Sequence, residues 1–309
     1  HRYGEVIETI DAAPADAGDP DARIIALHNR ASALYWGFGR AEEALADLAR
    51  ASALAPGNTW AAQAAGQRAV VLALAARPAE AIAQARHLLE APGARPAEQV
   101  YAYSGLTIAL ATGGRFGEAL AEAQRGLPIA IQMRNELPAA GGGILVGASV
   151  AWFLSGGFAA LEAVVAPVYR ASAEVGDPFL GLWAFFLGRN ELARGRLDEA
   201  DRRGSEAVAL LRRRDPGLML PWALAVLAQV VAQRGDAGRA RALVQELDRQ
   251  TAWNATSEGE LDVARAWAQA AAGEAVAALR AALASARRQR ERGLLGVAAV
   301  ATHEVARLG

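Results

Sequence analysis

Residues 114–119 read Gly-Arg-Phe-Gly-Glu-Ala, and close copies of this hexapeptide recur along the chain. Residues 39–44 read Gly-Arg-Ala-Glu-Glu-Ala and residues 195–200 read Gly-Arg-Leu-Asp-Glu-Ala, while weaker copies begin at Ala76, Gly156, Gly235 and Gly273. From residue 39 onward, the intervals between copies are 37, 38, 42, 39, 40 and 38 residues. A period of this length accommodates one helix, a tight turn and a second helix. The sequence therefore predicts an array of helical hairpins.

Each position of the hexapeptide has a physical role at the turn between two helices. Glycine at the first position, the hinge, tolerates the left-handed conformation that ends a helix, and the acidic residues favour the dipole of the next helix. Alanine at the sixth position lets the paired helices approach closely; it stands at residues 44, 81, 119, 200, 240 and 278. Seven places before each hinge stands another small residue: Ser32, Ala69, Thr107, Ser149, Gly188, Ala228 and Ala266.

The repeat fixes the predicted secondary structure. First helices of the hairpins are expected near residues 22–37, 59–75, 96–112, 137–155, 178–194, 217–234, 257–272 and 294–308, and a second helix follows each hinge. Pro128 and Pro167 fall within second helices, where the missing N–H predicts a kink or an end. No segment alternates with the period of two that indicates a β-strand. The predicted fold class is all-α.

Composition narrows the function. The chain has 309 residues, a net charge of -1, 53% hydrophobic residues and no cysteine, which excludes a disulfide scaffold, a thiolate metal site and a cysteine nucleophile. Every one of its 32 basic residues is arginine, and acidic residues slightly outnumber them, so direct nucleic-acid binding is not expected. The N-terminal residues resemble neither a signal peptide nor a transit peptide, which favours a cytoplasmic location.

One uncharged stretch, Leu137–Leu161, is long enough to span a bilayer. It contains Pro138 and six glycines, and its second half follows the repeat. We therefore expect a buried helix pair here, without membrane contact, and a bend in the array near residues 137–161.

The small-residue positions resemble those of the tetratricopeptide repeat (TPR), although that family's 34-residue period is exceeded throughout. Longer, degenerate units of this kind are similar to the MalT-like solenoid region of large ATP-binding LuxR-type transcription regulators, and the closing run Ala298–Gly309 is similar in style to the last helices of that region. The resemblance implies a right-handed superhelical solenoid of about eight degenerate hairpins, forming a single domain over residues 1–309. It also implies an upstream nucleotide-binding switch and a downstream helix-turn-helix, neither of which this sequence contains.

The two ends fit the same register. His1–Val6 matches residues 114–119 with histidine in place of the hinge glycine, and Gly309 lies one further interval after Gly273. Because intact solenoids normally close with polar capping helices, these ends predict a piece excised from a longer protein.

No motif indicates catalysis or a metal. The four histidines, His1, His28, His87 and His303, are scattered without carboxylates at ligand spacing, so neither a metal nor a cofactor is expected. Gly141–Gly147 is glycine-rich but follows no strand and lacks the Gly-Lys-Ser/Thr of a nucleotide loop, so close helix packing or a helix break explains it better. A nucleophile elbow is absent. The sequence predicts a protein that is not an enzyme.

The candidate binding residues come from the inner wall of the solenoid. Family geometry places the positions 13, 10, 6 and 3 before each hinge on the concave surface, where aromatic and isolated polar side chains would suit a ligand. The residues predicted to contact it are Tyr101, Phe185, Arg189, Trp222, Gln229 and Trp267. Some of the aromatic residues could equally belong to the core between repeats.

Three functions remain open at this stage. The leading one is a non-catalytic sensing or interaction domain of a LuxR-type regulator, which binds a small-molecule inducer or a protein partner on its concave face and biases the neighbouring switch. The alternative is a general peptide-binding TPR scaffold. An enzyme built on the solenoid is the third, although no spacing of carboxylates points to one. A homo-oligomer is left open.

Overall fold

The computed structural model describes residues 2–13, 19–55, 57–137 and 140–309, with Ala140 described by its backbone alone. The helices of these residues are α1 Tyr3–Asp11, α2 Pro20–Phe38, α3 Ala41–Leu54, α4 Thr59–Leu74, α5 Pro78–Glu90, α6 Pro96–Thr112, α7 Phe116–Gln132, α8 Ala140–Leu154, α9 Phe158–Val175, α10 Leu180–Ala193, α11 Leu197–Arg213, α12 Leu220–Gln233, α13 Ala237–Leu247, α14 Glu258–Ala271, α15 Ala275–Glu291 and α16 Leu295–Leu308. A short 3-10 turn, Ala255–Ser257, precedes α14, and the described ranges contain no strand. The chain is an all-α helical solenoid.

The chain forms two compact units, His1–Ala151 and Trp152–Gly309. Within each unit, first helices alternate with second helices, as the repeat predicts. All eight predicted first helices are present, as α2, α4, α6, α8, α10, α12, α14 and α16, and their ends lie within three residues of the predicted ones.

The seven predicted hinges all adopt the left-handed conformation. Their φ angles run from 60° to 86°, at Gly39, Ala76, Gly114, Gly156, Gly195, Gly235 and Gly273. At Ala76 the conformation persists without glycine, at a cost that the packed helices on either side must offset. The predicted hinge at His1 lies outside the described residues.

The arginine of the hexapeptide has a partner that the sequence reading did not assign. Arg40 donates to Glu43, Arg77 to Glu80 and Arg115 to Glu118, each over 2.5–2.6 Å and each three residues further on. The hydrogen bond from Arg115 holds the pKa of Glu118 below its ordinary value, and Arg77 does the same for Glu80. The Gly-Arg-x-x-Glu pattern is thus a hinge followed by an ion pair over the start of the second helix.

The small residues lie where the helices cross. All six alanines at the sixth position are fully buried, and the second set of small residues is buried except for the partly buried Ser32. A Cβ built on Gly105 of α6 would lie 2.6 Å from the backbone carbon of Ala69 in α4. Consecutive first helices therefore approach to backbone contact, which only residues of this size allow.

The glycine-rich stretch packs in the same way. A Cβ on Gly147 of α8 would lie 2.8 Å from the backbone nitrogen of Ile108, and one on Gly143 would lie 2.8 Å from Oγ of Ser104. These glycines allow α8 to pack closely on α6, in agreement with the packing interpretation of the sequence. Within the described part of the chain, no helix has the length and apolar character needed to cross a membrane. Pro138 lies outside the described residues.

The two interior prolines correct one expectation. Helix α7 continues past Pro128 to Gln132, and α9 continues past Pro167 to Val175, so neither proline ends its helix. Both prolines are exposed, on the outer side of their second helices. The carbonyl group that each leaves without an N–H donor can bond to water there, which lowers the cost of the lost helical hydrogen bond.

Candidate binding face

The predicted site residues lie in both units, with Tyr101 in the first and the other five in the second. Tyr101 belongs to α6 and is partly buried; its Cβ would lie 2.8 Å from a Cβ built on Gly66 of α4. Burial raises the pKa of Tyr101 above its ordinary value, so its hydroxyl stays protonated at neutral pH. Tyr101 is placed on the first-helix row of its own unit.

An aromatic cluster brings two of the predicted residues together in the second unit. The ring centroids of Phe185 in α10 and Trp222 in α12 are 4.9 Å apart, and Phe186 lies 5.1 Å from Phe185. Phe185 is buried, whereas Trp222 keeps part of its surface exposed. The cluster therefore presents one indole to solvent on a base of buried rings.

Arg189 and Gln229 meet at a carboxylate that was not among the predicted residues. Arg189 forms an ion pair with Glu260 of α14, with Nη2 to Oε1 at 3.1 Å, and Gln229 donates to the same Oε1 at 2.8 Å. Arg189 is 6% and Glu260 7% exposed, and the guanidinium also lies 3.7 Å over the ring of Phe153. A buried arginine with a carboxylate and an aromatic face is fully partnered.

This ion pair defines the geometry of the face. Arg189 belongs to α10 and Glu260 to α14, so the contact passes over the helix between them, α12. Side chains of next-nearest helices in a row meet only on the side toward which the row curves. The face that carries Arg189, Trp222, Gln229 and Glu260 is therefore the concave side of this row.

Trp267 lies at a second polar cluster further along the row. Its indole Nε1 donates to Oε2 of the buried Glu304 over 2.9 Å, and the guanidinium of Arg307 lies 5.1 Å from the centre of its ring. Arg307 also donates to Oε1 of Gln233 in α12 over 2.7 Å. Trp267 is partly exposed, so a second indole is available beside these bonded groups.

The sequence reading missed several of these groups for different reasons. Glu260 stands 13 residues before its hinge, the register position of Trp222, so the repeat could have identified it. Glu304 and Arg307 have no such signal, because their positions are not among those assigned to the concave surface. Two buried donors, Trp222 Nε1 and Gln233 Nε2, have no acceptor among the described residues.

The first unit has its own polar group on the first helices. Nε2 of His28 in α2 is hydrogen-bonded to Oε1 of Gln67 in α4, and the Gln67 amide donates to Oγ of Ser32 over 3.0 Å. Burial lowers the pKa of His28, an effect only partly offset by its bond to Gln67. In the ranges that the structure covers, no three histidine, aspartate or glutamate residues are grouped so that they could hold a metal ion.

The hinge geometry, the buried small residues and the close first helices define a TPR-like helical-repeat protein. Comparison with solved structures agrees: a Rap protein complexed with competence and sporulation factor superposes with a TM-score of 0.61 at 10% identity, over 99% of this chain and 90% of that one. A tetratricopeptide repeat protein from Parabacteroides merdae gives 0.49 at 15% identity, covering 90% and 99% of the two chains. The TPR domain of P58(IPK) gives 0.30 at 14% identity, covering 99% and 94%. No protein-family model and no curated protein matches the sequence.

Proposed function

We propose that the protein is a non-catalytic binding module that holds a peptide or a protein segment on the concave side of its first helices. The observation that carries this proposal is the pair of partly exposed indoles, Trp222 and Trp267, on successive first helices α12 and α14. Tryptophan supplies a large contact area at a small entropic cost, which is why it dominates many binding interfaces.

The buried residues around the two indoles have a supporting role in this proposal. Phe185 packs under Trp222, while the bonded group of Arg189, Gln229 and Glu260 fixes the side chains between the helices. Side chains held in this way lose little further freedom on binding. Tyr101 is the corresponding contact proposed for the first unit.

Two further observations favour a peptide over other ligands. A peptide offers a carbonyl acceptor at every residue, and Trp222 Nε1 and Gln233 Nε2 lack acceptors. The Rap protein of similar fold was solved in complex with competence and sporulation factor. A small-molecule inducer remains the competing ligand, and it would need to fill the space beside the same indoles.

The test is selection from a random peptide library displayed on phage, with the immobilised protein as bait. Selected peptides should bind Trp222→Ala and Trp267→Ala at least about tenfold more weakly than the parent, since a central tryptophan contributes on the order of 2 kcal/mol. Trp253→Ala is the matched control, because Trp253 is a 39% exposed tryptophan in the loop before α14. Failure to enrich any peptide, or an equal loss with the control, would reject the proposal.

A second candidate is the sensing domain of a LuxR-type regulator, which would act in the cytoplasm. Its support is the repeat period of 37–42 residues, longer than that of the TPR family and similar to MalT-like solenoids. In that setting an inducer or partner on the concave side would bias a neighbouring switch domain. The sequence of the natural gene product decides the question: a Walker motif before this region and a helix-turn-helix after it are required, and their absence would leave the scaffold.

A further inference from the structure

Helix α16 carries an exposed stripe whose equivalents in other first helices are buried. The stripe consists of Leu295, Ala299, Thr302 and Ala306, spaced so that they share one face, and Leu295 is 53% exposed. At the same register α12 has Pro221, Ala225, Ala228 and Ala232, and α10 has Gly181, Phe185, Gly188 and Leu192, all of them buried. The α16 stripe is thus a packing face without cover among the described residues.

The array shows which elements cover such a stripe. In α10, a Cβ on Gly188 would lie 3.1 Å from the backbone nitrogen of Gly204, and one on Gly181 would lie 2.9 Å from Leu211. Both neighbours belong to α11, the second helix of the same hairpin. The element that fits the α16 stripe is therefore a helix with the pattern of a second helix.

Helix α1 has that pattern. Arg2 forms an ion pair with Glu5 over 2.5 Å, as Arg115 does with Glu118 at the start of α7, so α1 is in second-helix register. Val6 and Ile10 then correspond to Ala278 and Ala282 of α15, which pack with Ala266 of the preceding first helix. Yet Val6 is 37% exposed, and no residue of α1 is buried.

The charges of the two faces are complementary. Consecutive second helices in this array are joined by ion pairs, such as Arg86 with Glu118 and Arg212 with Glu246. Helix α15, which would adjoin a helix on the α16 stripe, carries Arg287 and Arg290, exposed and without an ion pair among the residues described. Helix α1 carries Glu8, also exposed and without an ion pair in the described ranges.

From register, apolar exposure and charge together, we infer that two copies of this chain associate head to tail, with α1 of one copy packed on α16 of the other as its second helix. This contact uses different surfaces on the two copies. Such a heterologous interface leaves one α1 and one α16 free in every dimer, so association continues to larger species.

Sedimentation velocity over a hundredfold range of concentration tests the inference. The parent chain should exceed the 32.2 kDa of one copy as concentration rises. Thr302→Arg blocks the α16 stripe and Val6→Arg blocks the α1 face, so either variant alone should stay monomeric, with association weakened more than about tenfold. An equimolar mixture should form a one-to-one dimer and nothing larger, because each variant keeps the face that the other lacks.

The control is Val175→Arg, the same kind of change at a 79% exposed site at the end of α9. It should associate as the parent does, and the mixed dimer shows that the two blocking variants remain folded. A parent chain that is monomeric throughout, a Thr302→Arg variant that associates like the parent, or a mixture without a dimer would each overturn the inference.

Discussion

At the scale of single residues, backbone conformation decides what a side chain costs. Gly195 sits at a hinge with φ of 72°, and a Cβ added there would meet no atom within 4 Å. Any penalty for a side chain at this position is therefore conformational and not steric. An L-residue in this region costs roughly 1–2 kcal/mol more than glycine.

Gly195→Ala should lower the free energy of unfolding by about 1 kcal/mol, measured by urea denaturation. The matched control is Gly117→Ala in α7, where the added Cβ also meets nothing within 4 Å but the backbone is helical. There alanine should be neutral or stabilising by up to about 1 kcal/mol. Equal effects at the two sites would contradict the hinge argument.

A second residue-scale prediction concerns His28, whose pKa burial lowers from the ordinary value of 6.5. The unfolded chain then binds the proton more readily, so the contribution of His28 to stability is complete above about pH 6.5 and is lost as the pH falls below it. Replacing His28 with asparagine should remove this part of the pH dependence. Urea midpoints at about pH 8 and pH 5 measure it; a variant that loses as much stability on acidification as the parent would disprove it.

At the scale of helices, close approach decides which glycines are required. Gly142 and Gly147 both lie in α8, but only Gly147 faces α6, where a Cβ would collide with Thr107 and the backbone of Ile108. The backbone there cannot shift without disturbing the packing of both helices.

Gly147→Ala should therefore destabilise the protein by about 1–3 kcal/mol, as overpacking of a core does. Gly142→Ala should instead stabilise it by up to about 1 kcal/mol, because its added Cβ meets no atom within 4 Å. Thermal unfolding followed by circular dichroism compares the two. A stabilised Gly147→Ala would mean that α6 and α8 are further apart than described.

The elements were predictable from the sequence to a degree that the site was not. Hinges and small residues recur at a fixed interval, so a single register located the first helices within three residues. The partner of Arg189 could not be found in this way, because Glu260 is 71 residues away and their contact depends on how the row curves. Burial of Phe185 and Gln229 follows from the same curvature. The continuation of α7 past Pro128 depends on solvent exposure, which periodicity does not report.

At the scale of the whole molecule, the Arg189–Glu260 pair extends coupling beyond neighbouring hairpins. Repeat arrays are held together by contacts between adjacent units, and their stability is approximately a sum of such terms. In the second unit this pair joins α10 to α14, and the Arg307–Gln233 bond joins α16 to α12. Unfolding of one hairpin there must break contacts that belong to others.

Glu260→Ala should consequently destabilise the protein by about 3–5 kcal/mol, since it leaves the buried arginine without a counter-charge. The double variant Arg189→Met with Glu260→Leu removes both charges and should recover most of the loss. Urea denaturation of the single and double variants measures the difference. If the double variant is as unstable as Glu260→Ala, packing and not the unpaired charge is the cause.

The same pair links binding to the pitch of the second unit. A segment that enters between α10 and α14 has to lengthen or replace the bond between Arg189 and Glu260, and work done on that bond changes the spacing of the two helices. By reciprocity, any force that opens this spacing changes the affinity for the segment by the same free energy. Ligand and helix spacing are therefore two handles on one equilibrium.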